Sequence, residues 1–103
     1  MRKYVSKVDE LRKEMVDTLI NAIKERAGEL DENHFIEFDD SVYLFPNSDV
    51  YEDSVDKLRM NEDGDIILYC VDDEVGSILD QSTDVIAEIV DVILDGYFEC
   101  VMY

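Results

Sequence analysis

The stretch Val55 to Val71, VDKLRMNEDGDIILYCV, sets a turn signal between two segments rich in apolar residues, and it restricts the fold more than any other part of the chain. Asn61 can accept a hydrogen bond from the backbone two residues on, which favours a turn start. Glu62 and Asp63 suit the centre of a type I turn, and Gly64 supplies the positive φ that closes a three-residue hairpin loop. That loop predicts Met60 opposite Ile66, Leu58 opposite Leu68 and Asp56 opposite Cys70. Alternation then places Leu58, Met60, Ile66, Leu68 and Cys70 on one face, and Lys57, Arg59, Ile67, Tyr69 and Val71 on the other. A two-residue Asp63-Gly64 turn would set Glu62 against Asp65, a like-charge pairing that disfavours it. Read instead as a calcium-binding EF-hand loop, the segment would need carboxylates where Arg59 and Cys70 stand. It is a turn and not a metal site.

The rest of the chain supplies what covers this hairpin. Tyr4, Val8, Leu11, Met15, Leu19, Ala22 and Ile23 recur at three- and four-residue spacing, with Val16 and Ile20 widening the stripe. They predict a helix over residues 4–27, stopped by Gly28. The spacing also suits a coiled coil, but the width of the stripe favours packing onto a core. HFIEF (34–38) and VYLF (42–45) read as two strands, with Asp39-Asp40-Ser41 turning between them. Ser48 to Ser54 and Asp72 to Gln81 read as acidic loops. Ser82 is a good N-cap for a second helix running to about Asp95, with Val85, Ile86, Ile89, Val90 and Ile93 as its buried stripe and Gly96 as its stop. The apolar tail, 97–103, reads as a further strand in preference to a continuation of the helix past Gly96.

The expected fold is α+β: one domain over residues 1–103, with two helices packed on one face of a four-stranded antiparallel meander (αββββα) and a short C-terminal fifth strand. A hydrophobic content of 47% is enough to build a core at this length. No signal-peptide pattern opens the chain, and the longest apolar run, Ile66 to Val71, is too short to span a bilayer. A cytoplasmic location is expected, with Cys70 and Cys100 as thiols. Both could lie on strands, so a disulfide between them stays open.

Charge narrows the function. The net charge is −18, from 27 acidic and 9 basic residues. Residues 1–28 carry a net +2, and only Lys57 and Arg59 are basic beyond them. Such a body repels nucleic acid and anionic membranes, so neither is an expected direct partner. Lys57 and Arg59 are expected to pair internally, with Glu37 or other carboxylates on neighbouring strands.

No phosphate-binding glycine loop, CxxC or HExxH pattern is present, so no catalytic, cofactor-binding or metal residue is assigned. The single histidine, His34, could pair with Cys70 or Cys100 as a nucleophile, but no catalytic-cysteine signature surrounds either, and a structural role is expected. The carboxylates clustered in the acidic segments read as solvated. A more pointed feature is the run Asp80, Asp84, Glu88, Asp91 and Asp95, which lies along one face of the second helix.

These observations predict a small non-enzymatic interaction module. Its expected partner is a basic protein surface, docked on Asp84, Glu88, Asp91 and Asp95. The alternative is a nucleic-acid-mimic inhibitor of a DNA- or RNA-binding protein. The stripe alone is sparse for that: about one charge per 5 Å against one per 3.4 Å on a DNA strand. The face carrying Lys57, Arg59, Ile67, Tyr69 and Val71 would lie uncovered by either helix, which predicts a homodimer through the sheet, against the alternative that the C-terminal tail folds over it.

Overall fold

A computed structural model describes residues 2–28, 30–43 and 54–102, with the side chains of the first helix described from residue 7 onward. The elements in order are α1 (Arg2–Ala27), β1 (His34–Tyr43), β2 (Ser54–Met60), β3 (Ile66–Cys70), β4 (Asp73–Ser77), a 3-10 turn (Ile78–Asp80), α2 (Thr83–Leu94) and β5 (Phe98–Met102). The strands form one sheet in the order β4-β3-β2-β1-β5, with every neighbouring pair antiparallel. The fold is therefore α+β, a four-stranded meander with a fifth strand added beside β1.

The turn between β2 and β3 forms as its residues require. The Gly64 N–H donates to the Asn61 carbonyl at 3.1 Å, and the Asn61 side chain accepts from the N–H groups of Asp63 and Asp65. Met60 pairs with Ile66 and Leu58 with Leu68, the register expected from a three-residue loop. Gly64 sits at φ +86°, where a side chain is disfavoured although no atom would crowd it. Gly64→Val should therefore cost about 1 kcal/mol or more, while Gly64→Asn should cost less. Urea denaturation of the two variants measures the difference.

Two strands differ from expectation. Asp39-Asp40-Ser41 does not reverse the chain; β1 runs through it to Tyr43. The β1–β2 register passes from Glu37↔Lys57 to Val42↔Val55, so residues 38–41 face Asp56 alone. The polar, turn-forming residues make a wide bulge that bends β1 instead of ending it. On the other side the ladder continues, with the Asp39 N–H donating to the Tyr97 carbonyl at 2.9 Å. Val42 and Tyr43 of the expected second strand thus belong to β1, while Leu44, Phe45 and the expected loop from Ser48 lie outside the described residues, except Ser54, which opens β2.

The second difference is β4, within a segment expected to be a loop. Val71 and Asp72 alone join β3 to β4, with Val71 at φ 58°. A β-branched residue is strained there. Support comes from the Asp56 carboxylate, which accepts the Val71 N–H at 2.9 Å.

The helices cover one face of the sheet. Leu19 and Ile23 of α1, Ile86, Ile89 and Ile93 of α2, and Ile36, Val55, Leu58 and Leu68 of the sheet are all fully buried in one cluster. Ser82 caps α2, its Oγ accepting the Val85 N–H at 3.3 Å, and Gly28 and Gly96 stop the two helices at positive φ. The 3-10 turn buries Ile78 and is tied to α1 through Arg12, whose Nε donates to the Gln81 carbonyl at 3.0 Å. The α1 stripe is buried only in part. Val16, Leu19, Ala22 and Ile23 are inside, but Val8 and Leu11 are 39% and 47% exposed. The helix overhangs the core at its N-terminal half.

Candidate docking surfaces

The sheet face turned away from the helices is not a bare apolar patch. Lys57 and Arg59 are two apart on β2 and both project to it. The Lys57 ammonium lies 5.2 Å from the Phe35 ring centroid, and the Arg59 guanidinium lies 5.4 Å from Phe35 and 5.7 Å from Tyr69. Phe35 and Tyr69 meet edge to face at 5.4 Å, and Arg59 also donates to the Tyr69 hydroxyl at 2.9 Å. Each cation is held over an aromatic face, where the ring quadrupole attracts it. Ile67, directly across from Arg59, is 9% exposed without any contribution to the helix-side core. Lys57 stands opposite Glu37 in the ladder, but the ion pair its Nζ makes is with Asp72, in the turn after β3, at 3.7 Å. Arg59 pairs with a phenol and two rings in place of a carboxylate. Its buried Nε has no hydrogen-bond partner among the described residues.

The opposite layer carries the acidic surface. Asp80, Asp84, Glu88, Asp91 and Asp95 are all exposed, and among the described residues no basic group lies within ion-pair distance of them. Glu88 and Asp91 do more than face solvent. With Asp40 they line an open hollow of about 430 Å³ between α2 and the end of β1, together with Val42, Tyr43 and Val92. The β1 bulge puts Asp40 there. Sequence periodicity identified Glu88 and Asp91; it could not identify Asp40 or Tyr43, because their placement depends on β1 continuing past Asp39. Asp84 and Asp95 lie on the same helix but outside the hollow.

The groups with chemical potential are otherwise occupied or apart. His34 Nδ1 lies 2.6 Å from the Asp31 carboxylate, which also accepts the Asn33 N–H at 2.8 Å. The bond to His34, then that to Asn33, holds the Asp31 carboxyl below its ordinary value. A depressed folded-state value contributes stability above the unfolded value, about pH 4, and that contribution is lost as pH falls through the folded one. Asp31→Asn should therefore be less stable than the parent from neutral pH to about pH 4, and the two should converge below it. Parallel urea titrations at stepped pH read this directly. Cys70 and Cys100 do not pair with each other. They stand on β3 and β5 with two strands between them, about 14 Å at ordinary strand spacing, beyond the reach of a disulfide.

Among the described residues no group of three or more His, Cys, Asp or Glu side chains is arranged to hold a metal ion, and no helix is long and apolar enough to cross a membrane. Comparison with protein-family models, curated proteins and solved structures finds no match.

Proposed function

We propose that this chain is a small, non-enzymatic, cytoplasmic interaction module whose acidic α2 face docks a basic protein surface. The hollow between α2 and β1 carries this reading. Its lining combines the carboxylates of Asp40, Glu88 and Asp91, which suit the charged head of a lysine or arginine, with Val42, Tyr43 and Val92, which suit the aliphatic stem. Asp84 and Asp95 extend the negative field along the helix and steer the approach. Among the described residues no intramolecular cation forms an ion pair with Asp84, Glu88, Asp91 or Asp95, and Lys57 and Arg59 are engaged on the other face of the sheet.

The test uses an arginine-rich peptide and NMR shift mapping on the parent and on the double variant Glu88→Gln/Asp91→Asn. Shifts should concentrate at Asp40, Tyr43, Glu88, Asp91 and Val92, and weaken as salt rises. In the double variant they should fall away while stability rises by a few tenths of a kcal/mol, from relief of like-charge repulsion on the helix. Shifts spread evenly over all acidic segments, or binding that ignores both substitutions, would reject the docking site.

A further inference from the structure

We propose that the overhanging N-terminal half of α1 is a self-association site, where two copies of this chain pair as a short antiparallel coiled coil. Three observations carry the inference.

The first is the exposed stripe. From Met15 onward the apolar face of α1 enters the core; before it, Val8 and Leu11 stay exposed although they continue the same stripe. The positions Tyr4, Val8, Leu11 and Met15 are spaced four, three and four apart, which is the a/d spacing of a heptad repeat. The buried half of the helix already holds this half in helical form, so association does not have to nucleate a helix.

The second is self-complementarity. Antiparallel pairing sets Val8 of one copy against Leu11 of the other, in both directions. The same register brings Lys7 of each copy beside Glu14 of the other, so two opposite-charge pairs flank the seam. Lys7 and Glu14 are both exposed, and neither has an ion-pair partner among the described residues. A parallel pairing would instead set Lys7 against Arg12 of the partner, like against like. The two-fold antiparallel arrangement is the one that the charges allow.

The third is the position of this segment in the charge distribution. A body with a net −18 repels its own copies almost everywhere. Residues 1–14 hold five basic and three acidic residues, so this is where two copies meet with least repulsion. The inference is independent of the basic-partner reading, which uses the far side of α2.

The experiment is sedimentation equilibrium on the full chain, for the parent, Lys7→Glu, the swap Lys7→Glu/Glu14→Lys, and Leu11→Glu. All substituted positions are exposed, and circular dichroism checks that each variant keeps its helices. The parent should approach dimer mass at chain concentrations on the order of 100 µM, as suits a small interface. Lys7→Glu replaces two attractions by two repulsions and should weaken the dimer about tenfold. The charge swap should restore it, and Leu11→Glu should leave a monomer. A parent that stays monomeric throughout overturns the proposal. So does a dimer indifferent to Lys7→Glu and Leu11→Glu, since its interface would lie elsewhere.

Discussion

Leu58→Ala should lower the stability of the domain by about 2–5 kcal/mol, the cost of a cavity at a fully buried site plus the lost transfer energy. Leu58 is 0% exposed on β2, the central strand of the sheet, paired with Ile36 on one side and Leu68 on the other. Neither neighbour can move in without breaking a ladder, so the cavity should collapse poorly and the cost should lie in the upper part of that range. A domain of this size is stable by roughly 5–15 kcal/mol in all, so the variant should be close to half unfolded in mild urea. Leu58→Met keeps the volume and should cost less than about 1.5 kcal/mol. Paired equilibrium unfolding curves give both values, and equal effects from Ala and Met would show that packing at this site is not what stabilises the sheet.

Ile89→Ala should produce the second largest loss, again about 2–5 kcal/mol, reduced by a few tenths because Ala is the better helix former. Ile89 is 0% exposed in α2, a helix built largely from Val, Ile and Asp. Such residues are modest helix formers, so α2 is held by its packing rather than by its own propensity. Ile89 and Leu58 belong to one buried cluster. Their double variant should therefore depart from the sum of the singles, by roughly 0.5–3 kcal/mol if the two cavities share walls. Strict additivity in a double-mutant cycle would show that helix and sheet pack as separate layers.

Legibility in the sequence followed the locality of the physics. The hairpin at Asn61–Gly64 was readable because every turn residue acts within five positions, through the Asn61 side chain and the positive φ of Gly64. The caps of α2 at Ser82 and Gly96 were readable for the same reason. β4 was not, because its turn places Val71 at positive φ and relies on Asp56, fifteen residues away, to hold it. Asp39-Asp40-Ser41 carried true turn chemistry, but β5 on one side and β2 on the other turned it into a bulge. The acidic stripe on α2 was visible as a period, whereas the hollow beside it was not, since it needs the path of β1. The α1 stripe was visible in full, but only packing could show that the core ends near Met15. Lys57 and Arg59 were expected to pair with carboxylates; the aromatic partners that Arg59 takes lie on β1 and β3.

The position of β5 at the far side of β1 has a kinetic consequence. β2 and β3 are joined by a tight loop, and β3 and β4 by two residues, so this part of the meander can zip from local contacts. β5 must return to a strand that lies sixty or more residues earlier, with Phe98 beside Phe38 and Met102 beside His34. Closing a loop of that length costs about 2 kcal/mol more entropy than closing a hairpin. During synthesis β5 leaves the ribosome after the described elements that precede it, so β1 spends that interval without this neighbour. The β1–β5 ladder should form last on folding, and β5 amides should exchange with solvent sooner than those of β2.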